Sequence, residues 1–275
     1  MDALEAIVLG VVQGLTEFLP ISSTAHLRIV PAFLGWDDPG AAFTAVTQLG
    51  TMAAVLVYFR ADLWRIATAW LRSLRDPAAR EDQDARLGWY LIIGTVPIVI
   101  FGFAFRDQIE EGARDLRLIG TTLILLGLVL LWAERVSRRD RDLDGLTTRD
   151  GILIGLAQAA ALVPGVSRSG ATISAGLFLN LERAAAARFS FLLSVPAVVL
   201  SGLFEARKIG GEGSADAFPT IVATLLAFVV GYASIAFLLR WLVRHSTAVF
   251  VGYRVALGLV VLALVIGGAL DPTTG

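Results

Sequence analysis

The sequence predicts an all-α polytopic membrane protein, and three observations lead to that prediction. Hydrophobic residues make up 56% of the 275-residue chain and the mean hydropathy is +0.72, whereas soluble domains usually contain about 45–50% apolar residues. Several apolar stretches are long enough to cross a hydrocarbon core of about 30 Å as helices. Two shorter apolar stretches run directly into polar clusters, which indicates helices that enter a membrane without crossing it.

Composition also excludes some classes of function. The net charge is −1 and the chain has no cysteine. Without a basic excess there is no electrostatic patch for nucleic acid, so we expect no nucleic-acid partner. The lack of cysteine excludes disulfides, thiol nucleophiles and thiolate metal ligands. The N-terminus lacks the positive region of a secretory signal, so we expect it to belong to the fold.

The first short apolar stretch covers residues 3–12 and leads into a polar segment. That segment reads Gln13-Gly14-Leu15-Thr16-Glu17-Phe18-Leu19-Pro20-Ile21-Ser22-Ser23-Thr24-Ala25-His26. A helix of about 13 residues is roughly 20 Å long and cannot cross a bilayer alone. Because Pro20 ends this half-helix and residues 27–34 can return to the same surface, we predict a re-entrant helical hairpin.

Six longer stretches are predicted to cross the membrane. They cover residues 41–59, 87–105, 118–132, 184–203, 218–239 and 247–270. A second re-entrant hairpin is predicted at 151–181, where a short apolar run ends in Pro164-Gly165-Val166-Ser167-Arg168-Ser169-Gly170-Ala171-Thr172. The polar stretch 134–150 connects the two halves.

The order of elements predicts an inverted-topology repeat within a single membrane domain, 1–275, with pseudo-repeats at about 1–134 and 151–270. Three crossings per half give the halves opposite orientations, so the two hairpin tips can meet near the bilayer middle. Arginines are concentrated in the 60–86 and 135–149 loops, which the positive-inside rule places in the cytoplasm, with both termini outside. The opposite loops carry only Arg106, Arg114, Arg117, Arg207 and Lys208.

The ionisable residues at the tips need partners or a function. Glu17, His26 and Arg168 each cost about 2.5–3.5 kcal/mol at membrane depth on insertion scales. One interpretation is structural: a Glu17–Arg168 pair joins the tips, and neighbouring hydroxyls cap freed backbone groups. A scaffold alone leaves the cost of these buried ions unexplained.

The other interpretation is chemical. Arg168, flanked by glycines and followed by a helix N-terminus, suits a phosphate group. Gln13 and Glu17 lie one helical turn apart and offer oxygen ligands to a hard divalent cation. His26 is near enough to activate a hydroxyl, although a lone membrane histidine also serves as a packing or hydrogen-bonding residue.

Together the two polar segments resemble the signature motifs of the undecaprenyl-diphosphate phosphatases, the bacitracin-resistance family, and the resemblance covers essentially the whole chain. It implies an enzyme of the bacterial inner membrane, with its site open to the outer face. The implied reaction converts undecaprenyl diphosphate to undecaprenyl phosphate and inorganic phosphate, which recycles the lipid carrier for cell-wall synthesis and confers bacitracin resistance. A divalent cation, Mg²⁺ or Ca²⁺, and a homodimer are implied as well.

By position, the resemblance places Gln13 and Glu17 in a carboxylate motif, Ser22, Ser23 and His26 in a catalytic cluster, and Ser167, Arg168, Ser169 and Thr172 in a diphosphate-binding loop. Together with the chemistry of the residues, it leads to three predicted sets. The catalytic set is Ser23, His26, Glu17 and Arg168; the substrate-binding set is Ser22, Thr24, Ser167, Ser169, Gly170 and Thr172; the metal ligands are Glu17 and Gln13. Two assignments of the nucleophile remain possible. Either Ser23 attacks the phosphorus with His26 as its base, or His26 attacks and forms a phosphohistidine.

Two residues depart from the family pattern. Ala25 replaces a common glycine, and Gln13 replaces a glutamate found in many members, which removes one negative charge from the metal site. The rival class is a membrane transporter or lipid flippase, which the inverted repeat favours.

Overall fold

The computed structural model describes residues 1–105, 115–205 and 217–273. Within these ranges the chain is helical and contains no strand, only an isolated bridge between Arg141 and Leu181. The α-helices are α1 Ala3–Phe18, α2 Ser23–Leu34, α3 Gly40–Tyr58, α4 Arg60–Ser73, α5 Gln83–Ala104, α6 Leu116–Val136, α7 Thr148–Ala160, α8 Arg168–Phe178, α9 Arg183–Glu205, α10 Ala217–Arg244 and α11 Ala248–Ile266. The all-α prediction is confirmed; Arg106, Arg114, Arg207 and Lys208 lie outside the described residues.

Among the described residues, four helices are long and apolar enough to cross a membrane. They are Gln83–Ala104, Leu116–Val136, Phe218–Arg244 and Ala248–Ile266, with mean hydropathies of 2.0 to 2.5. Each exposes large apolar side chains, as at Phe103 (83% exposed) and Ile266 (85% exposed), which is typical of helices that contact lipid. The chain is therefore a multi-pass membrane protein. Helices α3 and α9 occupy the other two predicted crossings.

The short helices form two hairpins, α1–α2 and α7–α8, and we call their connections the first tip (residues 19–22) and the second tip (161–167). Each second helix begins after a serine with positive φ, Ser22 at 75° and Ser167 at 72°. Each serine Oγ accepts a hydrogen bond from the N–H three residues later, on Ala25 at 3.4 Å and on Gly170 at 3.1 Å. Positive φ is uncommon outside glycine, so the two tips share an unusual local structure.

Glycines let the hairpins approach the long helices closely. Helix α1 packs mainly on α10, and α7 packs mainly on α5. A Cβ at Gly10 would lie 2.5 Å from the Ala223 carbonyl oxygen, and a Cβ at Gly155 would lie 2.4 Å from that of Gly94. Small residues at such crossings are typical of helices packed within a membrane. They hold both hairpins against the bundle.

This close packing makes Gly155→Ala a test of the fold. The added methyl group would meet the Gly94 backbone, which cannot turn aside as a flexible side chain does. We expect a loss of about 1–3 kcal/mol of stability, seen as a lower Tm of the detergent-solubilised protein. The control is Gly252→Ala, a helical position with no heavy atom within 4 Å of the added Cβ. Equal Tm values for the two variants would contradict the observed α5–α7 contact.

The 60–86 and 135–149 loops lie at the same end of the molecule, which we call the arginine-rich face. Ion pairs with buried carboxylates hold this face together. Glu134, at the end of α6, accepts hydrogen bonds from Arg139 Nη1 at 2.9 Å, from Arg183 Nε at 2.7 Å and from the Thr247 hydroxyl at 2.9 Å. Arg141 pairs with Asp150 at 2.6 Å. Arg139 and Arg141 thus tie the polar 135–147 connection to α6 and α7, and Glu134 links α6 to α9 and to the start of α11. The connection therefore has a structural role.

Candidate active site between the two helix tips

The two tips meet at a cavity of about 190 Å³ within the helix bundle. Its polar lining comes from both hairpins and from α3, and its apolar lining comes from the second tip, α5 and α9. The polar residues are Glu17, Ser22, Ser23, Thr24, Gln48, Ser167 and Arg168, and the apolar residues are Ile98, Ala161 and Ala197. We call the part of the lining around Glu17, Ser23 and Arg168 the polar side, and the part that Ile98 and Ala197 supply from α5 and α9 the apolar side.

Direct contacts join the tips across this cavity. Arg168 forms an ion pair with Glu17, and the Ser169 hydroxyl donates to the Leu19 carbonyl at 3.0 Å. As a result the N-terminal ends of α2 and α8 border the same space. Helix N-termini carry free N–H groups and a partial positive charge, both of which favour a bound anion.

Glu17 is the centre of the polar side. It is 9% exposed, and besides Arg168 it accepts hydrogen bonds from Ser23 Oγ at 2.6 Å, from Gln13 Nε2 at 3.1 Å and from Gln48 Nε2 at 3.4 Å. The Ser23 hydroxyl thus points its proton at a carboxylate. A hydroxyl beside a group that can take its proton is the arrangement of an activated nucleophile.

Arg168 supplies positive charge to the cavity. Among the described residues only one of its terminal nitrogens has a side-chain partner, the carboxylate of Glu17. A guanidinium carries five N–H donors, so the others are available to a ligand in the space that Arg168 lines. Planar guanidinium groups pair well with the oxygens of phosphate.

His26 lies beside the cavity with both ring nitrogens engaged. Nδ1 is 2.7 Å from the Ser22 carbonyl oxygen, and Nε2 is 2.7 Å from the Tyr253 hydroxyl. Because a carbonyl oxygen only accepts, Nδ1 must carry the proton, and in the neutral ring Nε2 accepts from Tyr253. The Tyr253 ring stacks on the imidazole, with centroids 5.5 Å apart. In the structure, therefore, Ser23 is hydrogen-bonded to Glu17, and His26 is hydrogen-bonded to the backbone of Ser22.

The predicted substrate-binding residues divide into two groups. Ser22, Thr24 and Ser167 line the cavity. Ser169 bonds the first tip, and Thr172 is completely buried, with its hydroxyl 2.8 Å from the Arg168 carbonyl and 2.6 Å from Ser190 Oγ. A Cβ at Gly170 would lie 2.7 Å from Arg254 Nη1. The second group therefore supports the shape of the tip and does not line the cavity.

The oxygen donors suit a hard divalent cation. The Gln13 Oε1 atom, next to Glu17 in the fold, is buried without a hydrogen-bond partner among the described residues. Within the same ranges no cluster of three or more His, Cys, Asp or Glu side chains is close enough to hold a metal alone. One carboxylate with an amide oxygen fits an ion such as Mg²⁺, which usually keeps several waters and takes further oxygens from substrate phosphates.

Arg254 has a larger role than the sequence indicated. The sequence places Arg254 as a polar residue inside the predicted crossing 247–270, which favours interhelical hydrogen bonding or snorkelling. In the structure it is fully buried, and its guanidinium donates to five backbone carbonyls at 3.0 to 3.4 Å. These belong to Pro20, Thr122, Leu123, Gly165 and Val166. Arg254 therefore holds both tips against α6.

Fold and site together define a class of multi-pass helical membrane protein with a serine-, carboxylate- and arginine-lined cavity between two helix tips. Comparison with known proteins agrees with this class. The family model described as bacitracin resistance protein BacA matches residues 6–260, and the chain belongs to that family.

The relatives resemble the chain over its whole length. A protein of Nocardioides sp. named undecaprenyl-diphosphatase is 58% identical over 98% of this chain and 99% of its own. Undecaprenyl-diphosphatase 2 of Frankia casuarinae is 57% identical over 100% and 99%. The undecaprenyl-diphosphatase of Thermobifida fusca is 54% identical over 100% and 94%. The family resemblance read from the two polar segments is confirmed.

Proposed function

We propose that this protein hydrolyses undecaprenyl diphosphate to undecaprenyl phosphate and inorganic phosphate. The observation that carries the proposal is the Ser23–Glu17–Arg168 arrangement in a cavity bordered by two helix N-termini. A hydroxyl nucleophile, a carboxylate and a guanidinium are the groups that phosphoryl transfer needs. The names of the full-length relatives support the same substrate. Recycling of the lipid carrier and bacitracin resistance follow from that activity.

In the proposed mechanism Ser23 is the nucleophile. Its Oγ attacks the terminal phosphorus, the bond from that phosphorus to the bridging oxygen breaks, and undecaprenyl phosphate leaves. Glu17 accepts the serine proton, which the 2.6 Å hydrogen bond prepares. Water then displaces the serine oxygen, which takes the proton back from Glu17 as inorganic phosphate is released. Arg168 and the tip N–H groups stabilise the phosphoryl oxygens throughout.

His26 is assigned a positioning role. Both of its nitrogens already have partners, Ser22 and Tyr253, so using it as base or nucleophile would first require breaking one of these bonds. The hydrogen bond to the Ser22 carbonyl instead supports the positive-φ conformation that starts α2 at Ser23. The serine route is therefore favoured over a phosphohistidine.

We also propose a divalent cation, Mg²⁺ or Ca²⁺, held by Glu17 and Gln13. When bound, such an ion would neutralise charge on the phosphate oxygens. The unpartnered Gln13 oxygen supports this assignment. Gln13 supplies no charge where many relatives in the resembled family have a carboxylate, so Glu17 would provide the negative charge of the site.

We propose six crossing helices and two re-entrant hairpins related by an inverted repeat. Gly10, Gln13 and Ser22 precede Gly155, Gln158 and Ser167 by the same 145 residues. In such a repeat α1 corresponds to α7, and α5 corresponds to α10. The packing of α1 on α10 and of α7 on α5 would then be the same contact, made once from each repeat. In this register Ser23 of one repeat corresponds to Arg168 of the other, so the halves would contribute different groups to one site.

The proposed location is the bacterial inner membrane, with the arginine-rich face in the cytoplasm and the cavity reached from the outer leaflet. The positive-inside rule supports this orientation. The homodimer stays a prediction.

The test is phosphate release by the purified protein in detergent, where a transporter or flippase has no membrane to act across. We expect release with Mg²⁺ or Ca²⁺, loss with excess chelator, and a fall of at least 10²-fold in Ser23→Ala. A trapped phosphoenzyme should have the acid stability of a phosphoserine. Acid-labile, base-stable phosphate on the protein would contradict the serine route. No release with either ion, from folded protein, would favour the transporter.

A further inference from the structure

The apolar side of the cavity lies between two long helices. Helices α5 and α9 touch at Gly94 and Leu193, where a Cβ on Gly94 would lie 2.9 Å from Leu193 Cδ1. One helical turn further along each helix come Ile98 and Ala197, and both line the cavity. Since i and i+4 share a helix face, these two residues continue the α5–α9 seam at the point where the cavity interrupts it.

A proline precedes each of the two lining residues. Pro97 stands inside α5 and Pro196 inside α9. A proline within a helix removes one hydrogen bond and clashes with the preceding turn, which bends the helix. Each proline therefore allows its helix to bend next to the cavity, close to the contact between Gly94 and Leu193. Bends at this level would hold the seam open.

The surface outside this seam is apolar. On α5 the residues Val99, Ile100 and Phe101 are 47%, 58% and 40% exposed, and on α9 Val199 is 36% exposed. Ile98 lies about 22 Å along α5 from its start at Gln83, and Ala197 about 21 Å along α9 from Arg183. Both helices start at the arginine-rich face, so the seam reaches the cavity in the half of the membrane away from that face.

We propose that the gap between α5 and α9 at Ile98 and Ala197 is the lateral passage for the polyprenyl chain of the substrate. This inference rests on the proposed function and adds the route of the lipid tail. The diphosphate occupies the side with Glu17, Ser23 and Arg168, and the first isoprene units pass between Ile98 and Ala197 into the bilayer. An apolar chain suits this side because, among the described residues, α5 and α9 line the cavity only with Ile98 and Ala197, and contact with these two carries no desolvation cost for a charged group.

The test compares a long and a short substrate in one variant, Ala197→Phe. Isopentenyl diphosphate has a five-carbon chain that need not pass the seam, whereas undecaprenyl diphosphate must. We expect kcat/KM for the long substrate to fall at least 10-fold, mainly through KM, and that for the short substrate to stay within about 2-fold of wild type. The matched control is Val199→Phe, which adds the same ring on the same helix outside the cavity lining; it should leave both values unchanged.

Equal losses for both substrates in Ala197→Phe, or no loss for either, would overturn the passage. Failure of the wild-type protein to hydrolyse either substrate would count against the proposed function itself, so the two failures are distinguishable. A second measurement needs no substitution: a photoreactive polyprenyl diphosphate should label α5 and α9 near Ile98 and Ala197. Labelling confined to other helices would contradict the proposal even if Ala197→Phe did not fold.

Discussion

Replacing Arg168 by alanine is expected to reduce phosphate release by about 10³-fold or more, the range seen for arginines that stabilise a transferring phosphoryl group. Arg168 is the cationic side chain on the cavity lining, and it also pairs with the buried Glu17. Arg168→Lys should fall between alanine and wild type, because an ammonium keeps the charge but lacks the planar fork. Initial rates of phosphate release at saturating substrate measure the effect.

Removal of Arg168 alone also leaves a buried carboxylate without its partner, which typically costs about 3–5 kcal/mol. Loss of activity in Arg168→Ala could therefore reflect loss of fold. The double variant Glu17→Gln/Arg168→Met separates the two effects, since it removes both charges. We expect its Tm to recover towards wild type while turnover stays lost. Recovery of turnover along with Tm would show that the pair is only structural.

Much of this architecture could be predicted because its signals are local in sequence. Polar residues directly after short apolar runs mark the tips. The proline there indicates the end of one helix, and the serine indicates the start of the next. The ionisable pair Glu17 and Arg168 stood out because each is costly at membrane depth. The structure places both on one cavity, where the two helix tips meet.

The positions of other predicted site residues depend on distances that sequence spacing does not give. His26 and Ser23 are three residues apart, which suggested a base and its nucleophile, but in the structure Ser23 Oγ donates to Glu17 and His26 Nδ1 donates to the Ser22 carbonyl. The partner of His26, Tyr253, is 227 positions away. Thr172 belongs to the second polar segment, yet it lies on the buried side of α8. Helix phase and long-range packing decided these positions.

Arg254 is the clearest case of a residue whose importance only the packing reveals, and its substitution should have the second largest effect. Arg254→Met removes one donor from each of five buried carbonyl oxygens. Those of Pro20, Gly165 and Val166 lie in the tips, outside any helix, and lose the partner that the structure shows for them. An unsatisfied buried polar group costs about 1–3 kcal/mol, so we expect a large fall in Tm and little folded protein. Arg254→Lys keeps the charge, but three N–H donors on one nitrogen cannot serve carbonyls spread over both tips and α6.

For folded Arg254→Lys we expect kcat to fall by about 10²-fold, because small displacements of reacting groups have effects of that size. Amide hydrogen exchange should rise at residues 19–23 and 163–168, and α3 and α10 should keep their protection. The same arginine-to-methionine change at Arg244, an exposed residue at the end of α10, is the control and should alter neither Tm nor turnover. Since Arg254 lies outside the cavity lining, a loss of turnover with faster exchange at both tips would mean that it acts by fixing the distance between Ser23 and Arg168. Unchanged exchange at the tips would contradict that role, even if activity fell.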